Sequence, residues 1–115
     1  MKQGEIWLIN LDPTIGAEIK KTRPAIIVND NSLGKLPLKI IVPLTDWKPR
    51  YEIAPWMIMI LPDSNNNLSK VSAVDCFQIR SLSDERFMKK IGKITSSNLE
   101  DIKEALSKVL TIDKY

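Results

Sequence analysis

Up to residue 94, every apolar run in this chain is short and is cut by proline or by a polar cluster. That pattern leaves room for strands and almost none for helices. Glu5-Ile6-Trp7-Leu8-Ile9-Asn10-Leu11 reads as a strand and is broken by Asp12-Pro13-Thr14. Ile15 to Arg23 reads as a polar loop, and Pro24 to Val28 as a short buried strand. Asn29-Asp30-Asn31-Ser32 and Gly34 mark the next turn. Leu38 to Leu44 reads as a third strand, with Pro43 suggesting its end, an edge or a bulge. Thr45 to Arg50 is a second loop. Trp56 to Leu61 and Val71 to Ile79 read as further strands, with a polar turn from Pro62 to Asn67 between them. Ser83-Asp84-Glu85-Arg86 reads as a helical turn, and Met88 to Ile94 as a last short strand with Gly92 at a bulge or bend.

The end of the chain changes period. Leu99, Ile102, Leu106, Val109 and Leu110 fall on one face at helical spacing. Ser97-Asn98-Leu99-Glu100 fits a capping box. A helix from about Ser97 to Leu110 is expected, its apolar face packed on the sheet. The fold class is therefore mainly β, about five to six short antiparallel strands in a small curved barrel or half-barrel, with a C-terminal helix.

With 115 residues, the chain fits one domain, 1–115, and one core. No apolar run approaches the ~20 residues of a membrane helix. The start, Met1-Lys2-Gln3-Gly4-Glu5, lacks the features of a signal peptide. No membrane association and a cytoplasmic location are the expectation. The single Cys76 cannot form an intrachain disulfide and, in a strand, reads as buried rather than reactive.

Histidine is absent. This excludes histidine–metal sites, serine–histidine triads and RNA cleavage by paired histidines. No metal and no cofactor are expected. The formal charge of +3 and pI of about 9.0 are compatible with a polyanionic partner without demanding one.

Two loops hold the useful chemistry: Glu18, Lys20, Lys21 and Arg23 in the first, and Thr45, Asp46, Lys48 and Arg50 in the second. Most read as solvated charge. Arg23 stands directly before Pro24, which favours an extended backbone. A guanidinium fixed at a strand entrance suits a phosphate, and an ion pair with Glu18 is the alternative. Thr45, taken alone, is a turn-former bonded to local backbone. Trp47, Tyr51 and Trp56 lie in or beside the second loop. Trp56 reads as core, whereas Trp47 leans towards stacking on an unpaired base.

Gly4-Glu5-Ile6-Trp7, Leu11-Asp12-Pro13-Thr14-Ile15-Gly16-Ala17-Glu18 and Thr22-Arg23-Pro24-Ala25-Ile26-Ile27-Val28 resemble the opening of the MazF/PemK (Kid-type) toxins. Val42-Pro43-Leu44-Thr45, Ser72-Ala73-Val74, Phe77-Gln78-Ile79-Arg80 and Gly92 follow in that family's order. The resemblance implies an SH3-like barrel with a helix and a homodimer. It also implies an acidic antitoxin as partner and sequence-selective cleavage of single-stranded RNA. It puts Arg23 and Thr45 at the catalytic positions, with Glu18 at a supporting acidic one. Gln78 matches a position near the RNA surface, and Lys20, Lys21, Lys48 and Arg50 could follow the RNA backbone. The family often has a glycine where Lys20-Lys21 stand, and the Tyr51 to Leu61 segment departs from its pattern. Metal-free cleavage is simplest by attack of the ribose 2′-oxygen on the adjacent phosphorus. Arg23 would neutralise the phosphorane, Thr45 would donate to it, and Glu18 would orient Arg23 or accept a proton. Two rivals remain. One is a CcdB-like toxin that binds gyrase without chemistry, disfavoured because no tryptophan follows Trp56 in the tail. The other is an SH3-like RNA-binding module.

Overall fold

The computed structural model describes residues 1–112. Residues 113–115, part of the tail weighed against the gyrase-binding reading, lie outside the described residues. The strands are β1 (Glu5–Asn10), β2 (Thr22–Ile27), β3 (Leu38–Asp46), β4 (Met57–Ile60), β5 (Ser72–Asp75), β6 (Arg80–Ser83) and β7 (Phe87–Lys93). One helix follows, α1 (Ser96–Val109). The strands form a 7-stranded antiparallel sheet in the order β4-β5-β3-β2-β1-β7, with β6 paired to β3 off that path. The sheet is strongly partnered but not closed.

The strand count exceeds the expected one because the segment Val71 to Ile79 is not one strand. It stops at Asp75, turns through Cys76–Gln78 as a 3-10 turn, and resumes as β6. The Asp75 carboxylate drives the turn by accepting the Phe77 amide proton at 3.1 Å.

Pro43 is neither a strand end nor an edge. It lies inside β3, opposite Ala25 of β2. The Val28 amide donates to the Ile40 carbonyl at 2.9 Å, so the even-numbered residues of β3 carry the ladder to β2. The amide that Pro43 lacks would therefore face the opposite edge of β3. On that edge β6 pairs with residues up to Ile41 and β5 pairs from Leu44 onward. Pro43 fills the gap where β3 changes partner, and no ladder bond is lost there.

Alternation along the central strands builds two cores. Ile6, Ile26, Val42, Leu44, Ile60, Val74 and Ile94 face α1, which contributes Ile102 and Ala105. Ile9, Leu11, Ala25, Ile27, Ile41 and Leu82 form the second cluster on the other face. A strand apolar on both faces, as Pro24 to Val28 is, needs both covers. Lys39 closes one end of the second face. It is buried, and its ammonium donates to the Leu36 carbonyl at 2.9 Å and to Asp84 at 3.1 Å.

The helix begins before the expected box. Its N-cap is Thr95, whose hydroxyl accepts the Asn98 amide proton at 3.0 Å. The choice of Thr95 over Ser97 follows from the residues around it. Ile94 and Leu99 belong to the same core and sit where a hydrophobic staple for a Thr95 cap requires them. The Ile94 amide is also fixed to the Gly4 carbonyl at 3.0 Å. Leu110, expected on the packed face, is 53% exposed, and Ala105 takes the buried position instead.

Gly92 sits beside a register shift between β1 and β7, as its sequence position suggested. A Cβ there would clash with the carbonyl oxygens of Asn65 and Asn66. Among the described residues no helix is long and apolar enough to cross a membrane.

Candidate active site

The register of β2 and β3, continued by two residues past Ala25–Pro43, sets Arg23 opposite Thr45. The hydrogen-bonded ladder ends short of this pair because Pro24 has no amide to donate. Both residues keep the parity of Ala25, Ile27 and Ile41, so both face away from α1. They are half-buried. Opposed residues on one face of an antiparallel pair have Cα atoms about 4.5–5.5 Å apart.

A groove of about 450 Å³ opens on the same face. Its floor includes Leu11, Ile19 and Pro43, and its walls include Glu18, Phe77, Gln78 and Arg80. It forms at the partner change of β3, where the Cys76–Gln78 turn leaves the sheet. Arg23 and Thr45 do not line it. They lie two residues along their strands from Ala25 and Pro43, about 7 Å away.

The loop between β1 and β2 forms one wall of the groove and is tied down at several points. Leu11 donates its amide proton to the Lys21 carbonyl at 3.0 Å, and Lys21 donates back to the Asp12 carboxylate at 3.0 Å. Arg86 donates to the Asp12 carbonyl at 2.8 Å. Across the groove, the Gln78 side-chain oxygen accepts the Ile19 amide proton at 2.7 Å. The Gln78 amide group donates to Asp75 at 3.2 Å. Burial pushes the Asp75 carboxyl above its ordinary value, against hydrogen bonds from Phe77 and Gln78 that pull it down.

Arg23 is steered by the same loop. Its Nε donates to the Lys20 carbonyl at 3.2 Å. Among the described residues no carboxylate comes within ion-pair distance of it, so the alternative pair with Glu18 does not form. Glu18 lines the groove, and its Oε1 accepts the Ile15 amide proton at 2.6 Å. Its placement does not let it orient Arg23 directly.

Of the other expected contacts, Lys20 and Lys21 are exposed on the loop before Arg23, and Lys21 has a left-handed φ of 70°. That geometry favours glycine. Trp47, Lys48 and Arg50 follow the end of β3 and do not line the groove. Trp47 is half-buried and packs edge-on against Tyr51, their centroids 5.7 Å apart, while the Arg50 guanidinium lies 5.3 Å from the Tyr51 ring centre. Trp56 is not core: it is 38% exposed, because the chain turns into β4 only after it. Cys76 is fully buried, and its thiol is pushed up to about 12 by burial and by the charge of Asp75. Among the described residues no group of three or more acidic or cysteine side chains is placed to hold a metal ion.

Residues 2–110 match the family described as the PemK-like, MazF-like toxin of type II toxin–antitoxin systems. The chain belongs to this family. It is 29% identical to the endoribonuclease MazF9 of Mycobacterium tuberculosis over 112 residues, which covers 92% of each protein. It is 28% identical to the endoribonuclease PemK of Escherichia coli, across 96% of this chain and 83% of that one. A mycobacterial endoribonuclease solved with its cognate antitoxin shares the fold, with a TM-score of 0.79 at 18% identity, covering 100% of this chain and 99% of that one.

Within this family's fold, the sequence reading missed most of the groove lining, Arg80 and Phe77 included. Arg80 opens β6 opposite Ile41, and Phe77 projects from the preceding turn. The signal for Arg80 was its place directly after Gln78-Ile79 in a recognisable block. Phe77 heads the same block, but a strand from Val71 to Ile79 hides the turn that exposes it.

Proposed function

We propose that this chain is a sequence-selective, metal-independent endoribonuclease toxin that cuts single-stranded messenger RNA to 2′,3′-cyclic phosphate and 5′-hydroxyl ends. It acts in the cytoplasm as a homodimer of one 1–115 domain. A cognate acidic antitoxin covers its basic RNA surface; the mycobacterial endoribonuclease of the same fold is likewise found in complex with a cognate antitoxin. Family membership and relatives named endoribonucleases support the reaction class.

What supports the reading is that the β2–β3 register, extended two residues, sets Arg23 opposite Thr45 on the groove face, with no carboxylate among the described residues within ion-pair distance of the guanidinium. In the proposed reaction the ribose 2′-oxygen loses its proton and bonds to phosphorus. The bond from phosphorus to the 5′-oxygen breaks, and that oxygen takes up a proton from solvent water. Arg23 binds the non-bridging oxygens and neutralises the charge that grows on them. Thr45 donates a hydrogen bond to the same phosphate. Glu18, on the groove wall with one carboxylate oxygen bound to Ile15, accepts the 2′ proton. Gln78 holds the loop that carries Glu18 and Ile19. Lys20, Lys21, Lys48 and Arg50 follow the RNA backbone, and Trp47 stands ready for a base beyond it.

Incubation of labelled single-stranded RNA in EDTA tests this. Cleavage with cyclic-phosphate ends is expected, and Arg23→Ala should slow it about 10²–10³-fold while leaving the fold intact. RNA that stays uncut but tightly bound, or full activity in Arg23→Ala, overturns the reading.

A further inference from the structure

Phe77 is 67% exposed, although every feature beneath it is fixed. The residue before it, Cys76, is fully buried, and its amide donates to the Trp56 carbonyl at 2.9 Å. The Phe77 amide is held by Asp75, itself only 6% exposed. The next residue, Gln78, is bonded to both Asp75 and Ile19. The ring meets Trp56 edge-on, with centroids 6.1 Å apart and planes at 66°. An aromatic ring with a fixed backbone and one braced edge loses little freedom when something flat lies on it.

We infer that Phe77, braced by Trp56, is the platform on which one unpaired RNA base stacks, and that it thereby sets nucleotide preference beside the cut. The inference rests on the nuclease reading for its substrate. The occupant is argued from the groove that Phe77 shares with Arg80, Glu18 and Gln78. Neither Arg80 nor Arg23 has an ion-pair partner among the described residues. A polyanion with flat apolar faces satisfies both features at once, guanidinium to phosphate and ring to base. An apolar peptide side chain would satisfy only the ring.

The test starts from cuts mapped on a long RNA. A short oligonucleotide with the mapped sequence and a 2′-deoxy sugar at the cut cannot cyclise, so its affinity can be titrated. Phe77→Ala and Phe77→Leu should each weaken binding about 5- to 100-fold, while Phe77→Trp retains it. The loss should appear in KM rather than kcat on cleavable RNA. Removing one base from the oligonucleotide should cost the unmodified protein as much as Phe77→Ala does, and should cost Phe77→Ala nothing further at that same position. Equal affinity of Phe77→Ala and the unmodified protein overturns the inference. So does a drop in assembly mass in Phe77→Ala without loss of base sensitivity, which would make the ring a contact between copies. If no RNA is cut, the same titration is run on a mixed-sequence single-stranded pool. Phe77-dependent binding there keeps the platform and sinks the nuclease, and no binding sinks both. Cutting without Phe77 dependence sinks the platform alone.

Discussion

The Gln78 side-chain oxygen accepts the Ile19 amide proton at 2.7 Å, joining two segments 59 residues apart across the groove. The same side chain donates to the buried Asp75. Gln78→Ala should leave one buried carboxylate oxygen and one loop amide short of a partner, at a cost of about 1–3 kcal/mol. Gln78→Glu keeps the acceptor for Ile19 but sets a second carboxylate against Asp75, and should lose at least as much. Urea denaturation gives the stability change. Hydrogen exchange at the Ile19 amide should speed up in Gln78→Ala and identifies the loop as the part released.

Thr45 separates a hydroxyl effect from a packing effect. Thr45→Val keeps the branched shape in β3 and removes the donor. It should reduce the cutting rate by about tenfold or more, with denaturation midpoints little changed. Thr45→Ser should retain most of the rate. Equal rates for Thr45→Val and the unmodified protein would remove Thr45 from the phosphate.

The two available helix starts make opposite demands on mutagenesis. Thr95→Ala removes the hydroxyl that accepts the Asn98 amide proton and should cost about 1 kcal/mol. Ser97→Ala should stay within about 0.5 kcal/mol, since Ser97 lies inside the first turn of α1. A larger loss at Ser97 would mean that the helix begins at the capping box after all.

Acid should weaken the fold through Glu5. Partial burial would raise its carboxyl. Hydrogen bonds from Trp7, Lys2 and Lys90, with the Lys90 charge, outweigh burial and bring it from 4.5 to about 2. A folded value below the unfolded one means that the contribution is complete above pH 4.5 and is lost as pH falls towards 2. Asp75, raised by burial, acts with the opposite sign, and its ionisation disfavours the fold as pH rises. Glu5→Gln should lower stability at neutral pH and flatten its decline between pH 4.5 and 2, read from urea midpoints across that range.

Much of the architecture was legible because its strands are short and punctuated. β1, β2 and β4 begin and end within a few residues of the apolar runs Glu5–Leu11, Pro24–Val28 and Trp56–Leu61. What escaped was decided by long-range partners. Val71 to Ile79 is strand-like throughout, and it breaks only because Asp75 caps a turn at the point where β3 changes neighbour. Pro43 reads from sequence as an end, an edge or a bulge because its neighbours are unknown there, and the gap that tolerates it is a property of β5 and β6. Ser97 and Thr95 are equal candidates by local rules, and Ile94 packing with Leu99 separates them. In the site, Arg23 and Thr45 were assigned through family resemblance. Their opposition follows from the pairing of β2 with β3, which no local pattern encodes. Lys21 shows the reverse case. Its left-handed backbone, a geometry that favours glycine, gives a local reason for the glycine that the family resemblance leads one to expect in this loop.

β2 and β3 each present one row of side chains to α1 and the other to the second cluster. Arg23 and Thr45 are continuations of that second row, so the proposed phosphate grip is cut from the beams that bear the whole molecule. Damage to Ile26 or Val42, on the face opposite the groove, should therefore blunt the toxin in step with unfolding it. Attenuated but sturdy variants would have to come from the groove rim.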